Sequence, residues 1–379
     1  MQFYNYRRKR KRRFHSSFSS GYKYPRKRKP SHHRKRKRGF QKRLIRVLAA
    51  VCIVFVVLAA AGTGTFLYLK ESGKRSLMQA ANTSQPEMGE HQEESGLVSR
   101  DGKKYKYNED IINILCMGID KSSDLSDEAA ASGENGQADT IFLLTLDQKE
   151  KKMALIGLSR DTMTAIRTYD HQGNYVGETT NHLGLAYAFG DGKEESGRLM
   201  TEAVSKLLYE MPIHGYVAVN MNAIQKMNDS VGGVQVTLTE DMVLNGEEFA
   251  KGKTLRLSGE QAHSFVRMRD MMQEGSNNLR MERQKQYALS FINEAKREIK
   301  KDITLVAALY QDLSEDMVTS IGLDETVYLA SLLPEISFQM DDIRMVQGEI
   351  RQGSVYEEFY ADEDALLDLI LEVFYTEVG

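Results

Sequence analysis

IINILCMGID (Ile111 to Asp120), DTIFLLTL (Asp139 to Leu146) and MALIGLSRD (Met153 to Asp161) are three apolar runs, each with its charges at one end. Each has strand length and no helical period, so strands are predicted over Ile111 to Ile119, Thr140 to Leu146 and Met153 to Leu158. Neighbouring strands joined by turns pair antiparallel, so the chain runs up, down and up. Asp120, Asp139 and Arg160 then share one edge of one sheet, under the long polar loop Lys121 to Ala138. Two carboxylates and a guanidinium there suit a hard cation and the phosphate it carries. The plainer reading is that aspartates end strands to make turns. Three roles are open to Asp161: a cap, a partner for Arg160, or a base.

Downstream, an irregular stretch is predicted to about Thr180, then helices over Asn181 to Phe189 and Gly197 to Tyr209. A strand follows at Gly215 to Val219, a helix at Asn222 to Asn228 capped by Asn222, and a strand at Val234 to Leu238. This alternation predicts an α/β fold, with helices on the faces of the sheet. Ser258 and Gln261 form a capping box that opens a helix to Val266. After the polar loop Asp270 to Asn278 comes a long helix, Leu279 to Lys300, on which Arg280, Arg283, Gln284 and Tyr287 share one face. Helices at Leu305 to Leu313, Asp324 to Leu333 and Ala361 to Phe374, with a strand at Ile343 to Gln347, complete the chain.

The chain has 379 residues and a net charge of -2, which hides an asymmetry. Residues 1–46 hold 20 of the 51 Lys and Arg and no acid, leaving 31 basic against 53 acidic residues beyond them. Basic residues interleaved with aromatics are also an RNA-binding composition. The next segment favours a membrane role: Val47 to Leu69 is uncharged and, at about 35 Å as a helix, long enough to span. The basic flank is then cytoplasmic, drawn to anionic lipid, and the acidic remainder lies outside. A cleaved signal peptide is the competing reading, but the length of the basic region favours an uncleaved anchor. The expected layout is a disordered tail (1–46), a transmembrane helix (47–69), a polar stalk (70–104), a catalytic domain (105–300) and a C-terminal helical extension (301–379) packed on the same domain. Cys52 and Cys116 suggest no disulfide framework.

Arg267, Arg269, Arg280 and Arg283 flank one loop beside a helix N-terminus, an arrangement that traps anions. A solvated basic face balanced by Glu282 and Asp270 is the alternative. His182 and His263 lack zinc-site spacing and read as structural. The sequence contains no P-loop, nucleophile elbow or Cys/His pair.

Taken in order, Asn113 to Asp120, Ala138-Asp139-Thr140, Ser159 to Thr162, Asn181-His182, Val231 to Val234, Leu257 to Ala262, Val266 to Arg269 and Arg280 to Gln284 resemble the LytR-CpsA-Psr family. The likeness runs from about Ile111 to Ile299. It implies an α-β-α sandwich around a mixed central sheet, with a deep apolar pocket for a polyprenyl-pyrophosphate-linked glycan. It also implies Mg2+-dependent transfer of the glycopolymer phosphate onto a sugar hydroxyl of peptidoglycan, with Arg160 in the catalytic site and Asp139 or Asp161 as the base. By motif, Asp120 and Asp139 match the metal-associated carboxylates, and Arg160, Arg267, Arg269, Arg280 and Gln284 the pyrophosphate-contacting positions. One departure is Thr179-Thr180, where many members carry a Lys before the Asn-His pair; a phosphate contact is then either missing or supplied by Lys193 or Arg198. Two other activities stay open: hydrolysis of the same lipid-linked sugar, and lipid binding without turnover by an envelope regulator.

Overall fold

The three apolar runs are neighbouring antiparallel strands, paired from Ile111 opposite Asp147 and from Leu158 opposite Ile141. The structure, a computed structural model, describes residues 62–79, 86–93, 95–121, 125, 135–170, 172–268, 276–354 and 356–378. The predicted basic tail and most of the predicted membrane span lie outside these residues, as do Arg269 and most of the 121–138 loop. Among the described residues, no helix is long and apolar enough to cross a membrane.

In chain order, a helix over residues 62–79 (α1) precedes two short strands, β1 (Val98–Arg100) and β2 (Lys103–Tyr107). The central strands are β3 (Ile111–Ile119), β4 (Ala138–Asp147) and β5 (Lys152–Leu158). A hairpin, β6 (Met163–Tyr169) and β7 (Tyr175–His182), leads to α2 (Leu185–Ala188) and α3 (Glu194–Leu207). Next come β8 (Gly215–Val219), α4 (Met221–Ser230), β9 (Val234–Thr237), β10 (Met242–Leu244), β11 (Glu247–Phe249) and β12 (Thr254–Leu257). Helices α5 (Gly259–Arg267), α6 (Ser276–Lys301) and α7 (Thr304–Asp312) lead to β13 (Met317–Thr319) and α8 (Leu323–Leu332). The chain closes with β14 (Ile343–Met345), a hairpin of β15 (Gly348–Gln352) and β16 (Glu357–Ala361), α9 (Glu363–Phe374) and β17 (Tyr375–Glu377).

The central sheet has the order β13-β8-β3-β4-β5-β14 and is mixed: β3 runs parallel to β8 and β5 to β14, and the other pairs are antiparallel. Side chains alternate across it with the period of two that a pleated strand imposes. Leu115, Met117, Ile141 and Leu143 face Tyr187 of α2, Met200 of α3 and Ile370 of α9. Ile112, Ile114 and Leu146 face the other way, toward Leu77 of α1, Leu289 and Ile292 of α6, and Tyr328 of α8. Helices therefore cover both faces. Each fully buried aliphatic side chain contributes roughly 1.5–3 kcal/mol. A third cluster joins α5 and α6 to β9 and β12 through Val234, Leu257, Phe265 and Ala295.

Several expectations are corrected. The stretch 162–180 is not irregular: β6 and β7 form a hairpin whose inward residues are Thr164, Ile166 and Thr168, so threonines conceal the apolar alternation. The helix predicted over Asn181 to Phe189 shrinks to α2, because β7 claims Asn181 and His182. The cap of α4 is Asn220, which accepts from the N–H groups of Asn222 and Ala223.

The region expected as a stalk is built into the domain. Ser72 and Ser76 of α1 donate to Asp324 (2.7 Å) and Glu325 (2.5 Å) of α8, Leu77 is fully buried, and β2 pairs with β17. A contact face of Gly, Ser and Leu leaves no apolar stripe to read. The C-terminal region is not helical alone. It supplies both outer strands of the central sheet: β14 falls within the strand predicted at Ile343 to Gln347, whereas β13, only three residues long, is too short to show a period.

Candidate active site at the sheet edge

The end of β3 carries a register shift: Gly118 pairs with Thr140 and Ile119 with Ala138, so Asp139 is the extra, unpaired residue of a bulge. Bulges bend a strand and re-aim the side chain they carry. Asp139 there accepts a hydrogen bond from the guanidinium Nη1 of Arg160, which follows β5. Asp120 follows β3 directly, its N–H donating to the carbonyl of Gln137 at 3.1 Å.

The turn after β5 holds the rest. The N–H of Asp161 donates to the Ser159 hydroxyl (3.2 Å) and the Thr162 hydroxyl donates to the Ser159 carbonyl (2.7 Å). The Asp161 carboxylate lies 3.5 Å from Arg160 Nε and 3.7 Å from Nδ1 of His182. Gly184 ties the pieces together. Its N–H donates to the Arg160 carbonyl (2.9 Å) and its carbonyl accepts from Ala138 (3.3 Å). A Cβ at 184 would stand 2.8 Å from the Ala138 oxygen and 3.2 Å from Arg160 Cβ, so only glycine lets the strands and this loop approach so closely.

Arg160 is half-exposed and binds its proton more tightly than an ordinary guanidinium. Partial burial works against its charge. The hydrogen bond to Asp139, then the charges of Asp139, Asp161 and Asp120, outweigh that. Three carboxylates around one guanidinium leave an excess of hard oxygen donors. Mg2+ needs only one or two protein carboxylates, the remaining positions going to water and substrate phosphate, so Asp120 and Asp139 fit it in donor type and number. Among the described residues no group of three or more His, Cys, Asp or Glu is placed to hold a metal.

The predicted arginine cluster divides. Arg267 is exposed at the end of α5, behind the predicted Ser258/Gln261 capping box, and Arg280 is half-buried in the early turns of α6. Arg283 is corrected. It is 4% exposed, donates through Nε to the Phe265 carbonyl at 3.1 Å and through its other nitrogens to the Met268 carbonyl and Glu240. Gln284 donates to the Val266 carbonyl at 3.2 Å. Arg283 thus satisfies carbonyls at the end of α5, which that helix cannot satisfy itself. A buried guanidinium requires such partners.

Thr179 and Thr180 are exposed on β7. Arg198 is tied to Glu195 (2.6 and 2.8 Å) and Glu202 (3.3 Å), so it pairs within its own helix. His263 sits on α5, held below its usual range by burial and by the charge of Arg267. His182, read as structural, stands in the site beside Asp161; its place in the Asn-His pair was the available signal. The C-terminal hairpin also reaches the site. The N–H of Phe359 donates to the Asp161 carbonyl at 2.9 Å, and Tyr356 meets the His182 ring edge-on at 6.3 Å.

Comparison with known proteins gives a consistent result. The model of the LytR_cpsA_psr family matches residues 72–368. A polyisoprenyl-teichoic acid--peptidoglycan teichoic acid transferase TagU of Oceanobacillus iheyensis is 28% identical over 57% of this chain and 61% of its own, so the chain spans under two thirds of that relative's length. A protein of the same name from Bacillus licheniformis is 25% identical over 90% of this chain and 98% of its own. The crystal structure of B. subtilis TagV superposes with a TM-score of 0.53 at 24% identity, covering 68% of this chain and 94% of that one, a likeness of fold.

Proposed function

The chain belongs to the LytR-CpsA-Psr family, and from that premise we propose that it moves a glycopolymer phosphate from a polyprenyl-pyrophosphate carrier onto peptidoglycan. The observation that carries this reading is the Arg160–Asp139 pair on the strand bulge, with Asp120 and Asp161 beside it. The relatives named above, teichoic acid transferases by name, supply the substrate class.

In this reading a sugar hydroxyl of peptidoglycan attacks the phosphorus that bears the glycopolymer. The bond from that phosphorus to the bridging oxygen breaks, and polyprenyl phosphate leaves. Arg160 moves between Asp139 and the pyrophosphate, where a guanidinium fork matches two phosphate oxygens. Arg267, Arg269 and Arg280 hold the same pyrophosphate by their match to the family's motifs. Charge gathering on the leaving phosphate is met by groups already in place, the largest single source of rate in such transfers. Asp139 already accepts from Arg160. Asp161, 3.5 Å from Arg160 and 3.7 Å from the His182 ring, is the better placed to take the hydroxyl proton. Mg2+, held by Asp120 and Asp139, would supply a second positive charge to the pyrophosphate.

The half-buried apolar residues Phe142 and Leu144 of β4, facing Ala288, Leu289 and Ile292 of α6, offer the lipid an apolar wall. The basic tail and Val47 to Leu69 support single-pass anchoring, with a cytoplasmic N-terminus and the domain outside.

The test uses the full chain in detergent with a lipid-linked glycan and peptidoglycan oligomers, wild type and Arg160→Ala, with and without Mg2+. Metal-dependent adduct lost in the variant supports the transferase. Free sugar phosphate without adduct replaces it with the hydrolase. Binding with no product under any condition leaves a non-catalytic lipid binder.

A further inference from the structure

We propose that Tyr356, at the turn of the β15–β16 hairpin, is a platform for an uncharged saccharide of the acceptor glycan. This rests on the transferase reading and names the part of the site that takes the acceptor.

Tyr356 is 71% exposed. It is nonetheless fixed in position. Its carbonyl accepts from the N–H of Gly353 at 3.0 Å, and its ring meets that of His182 edge-to-face. Farther along β16, the N–H of Phe359 donates to the Asp161 carbonyl and Thr162 bridges to Phe359, clamping the hairpin onto the loop that carries Arg160 and Asp161. An open aromatic ring is therefore held beside the group assigned to take the hydroxyl proton.

The hairpin's charge decides what that ring receives. Glu349, Glu357 and Glu358 stand against Arg351 alone, and Arg351 is engaged with Glu349 and the Tyr360 ring. This acidic arm repels a phosphate-rich polymer. Uncharged sugar is not repelled, and its C–H bonds meet the negative face of an aromatic ring while its hydroxyls bond nearby acceptors. With Asp161 and His182 at its foot, the platform suits the sugar whose hydroxyl is to react.

The experiment measures binding of N-acetylglucosamine oligomers, as the probe, to the full chain by calorimetry, with binding of a lipid-linked pyrophosphate sugar measured separately. Tyr356→Ala should weaken oligomer binding roughly three- to tenfold, what one aromatic contact contributes. It should leave lipid-linked sugar binding unchanged, and Tyr356→Phe should bind the oligomer like wild type. Equal oligomer binding by wild type and Tyr356→Ala overturns the proposal, as does a wild type that binds the lipid-linked sugar but no oligomer. Failure to bind the lipid-linked sugar strikes the transferase reading instead. Unchanged thermal midpoints confirm that the variants fold.

Discussion

The backbone N–H of Asn113 donates to Nδ1 of His214 at 3.1 Å, and the His214 N–H donates back to the Asn113 carbonyl at 2.8 Å. The clasp lies one residue before the parallel pairing of Ile114 with Gly215 and so fixes the register of β3 against β8. Burial pushes the imidazole down to about 4, so it is neutral in the folded chain at pH 7 and free to accept. Unfolded, it titrates near 6.5. The stability from this difference is full above the unfolded value, falls as pH drops through 6.5, and levels off below about 4. It amounts to about 3 kcal/mol. Denaturant midpoints between pH 4 and 8 should show His214→Gln losing that part of the acid slope; identical slopes in the two proteins would refute the assignment.

Arg160→Ala should fold normally, since the side chain is half-exposed, and lose transfer on the order of a hundredfold or more. Arg160→Lys should recover only part, because an ammonium cannot make the forked contact. Initial rates of adduct formation decide this, and a fully active alanine variant would remove Arg160 from the site.

Arg283 and Arg280 are separated by one turn of α6 and should respond oppositely. Arg283→Ala leaves Glu240 and the α5 carbonyls without their buried donor, and should cost roughly 3–5 kcal/mol of stability. Arg280→Ala should leave the thermal midpoint near wild type and weaken binding of the lipid-linked donor. Chemical denaturation of both separates the roles; a stable Arg283→Ala with weakened donor binding would return Arg283 to the ligand.

Gly184→Val should abolish most activity while the central sheet survives. The branched side chain would press on the Ala138 carbonyl and on Arg160, pushing apart the two strand ends that carry Asp139 and Arg160. Wild-type rates in this variant would show that the close approach is dispensable.

Gly73 lies against the backbone carbonyl of Asp324, with no room for a Cβ. Gly73→Leu should lower stability by about 1–3 kcal/mol, as overpacking does. It should also expose the α1–α8 contact to proteolysis. If the variant resists protease like wild type, α1 does not need this contact.

Much of the centre was legible in the residues. β3, β4 and β5 carry apolar side chains on both faces, and their charged ends mark where each strand stops. Asp120, Asp139 and Arg160 could therefore be brought to one edge from sequence spacing. The bulge that singles out Asp139 could not, because it depends on which residue lies opposite Gly118.

The sequence by itself determined the central strands, the capping box of α5, the presence of a long helix α6 and the family, because each is written in local period or in ordered motifs. Only the tertiary structure decided that Arg283 points inward, that His182 joins Asp161, and that residues after 301 close both edges of the sheet. Those outcomes rest on burial and on pairing between residues distant in the chain. A side chain's type does not reveal them: an arginine reads the same whether its partner is a phosphate or a buried carbonyl.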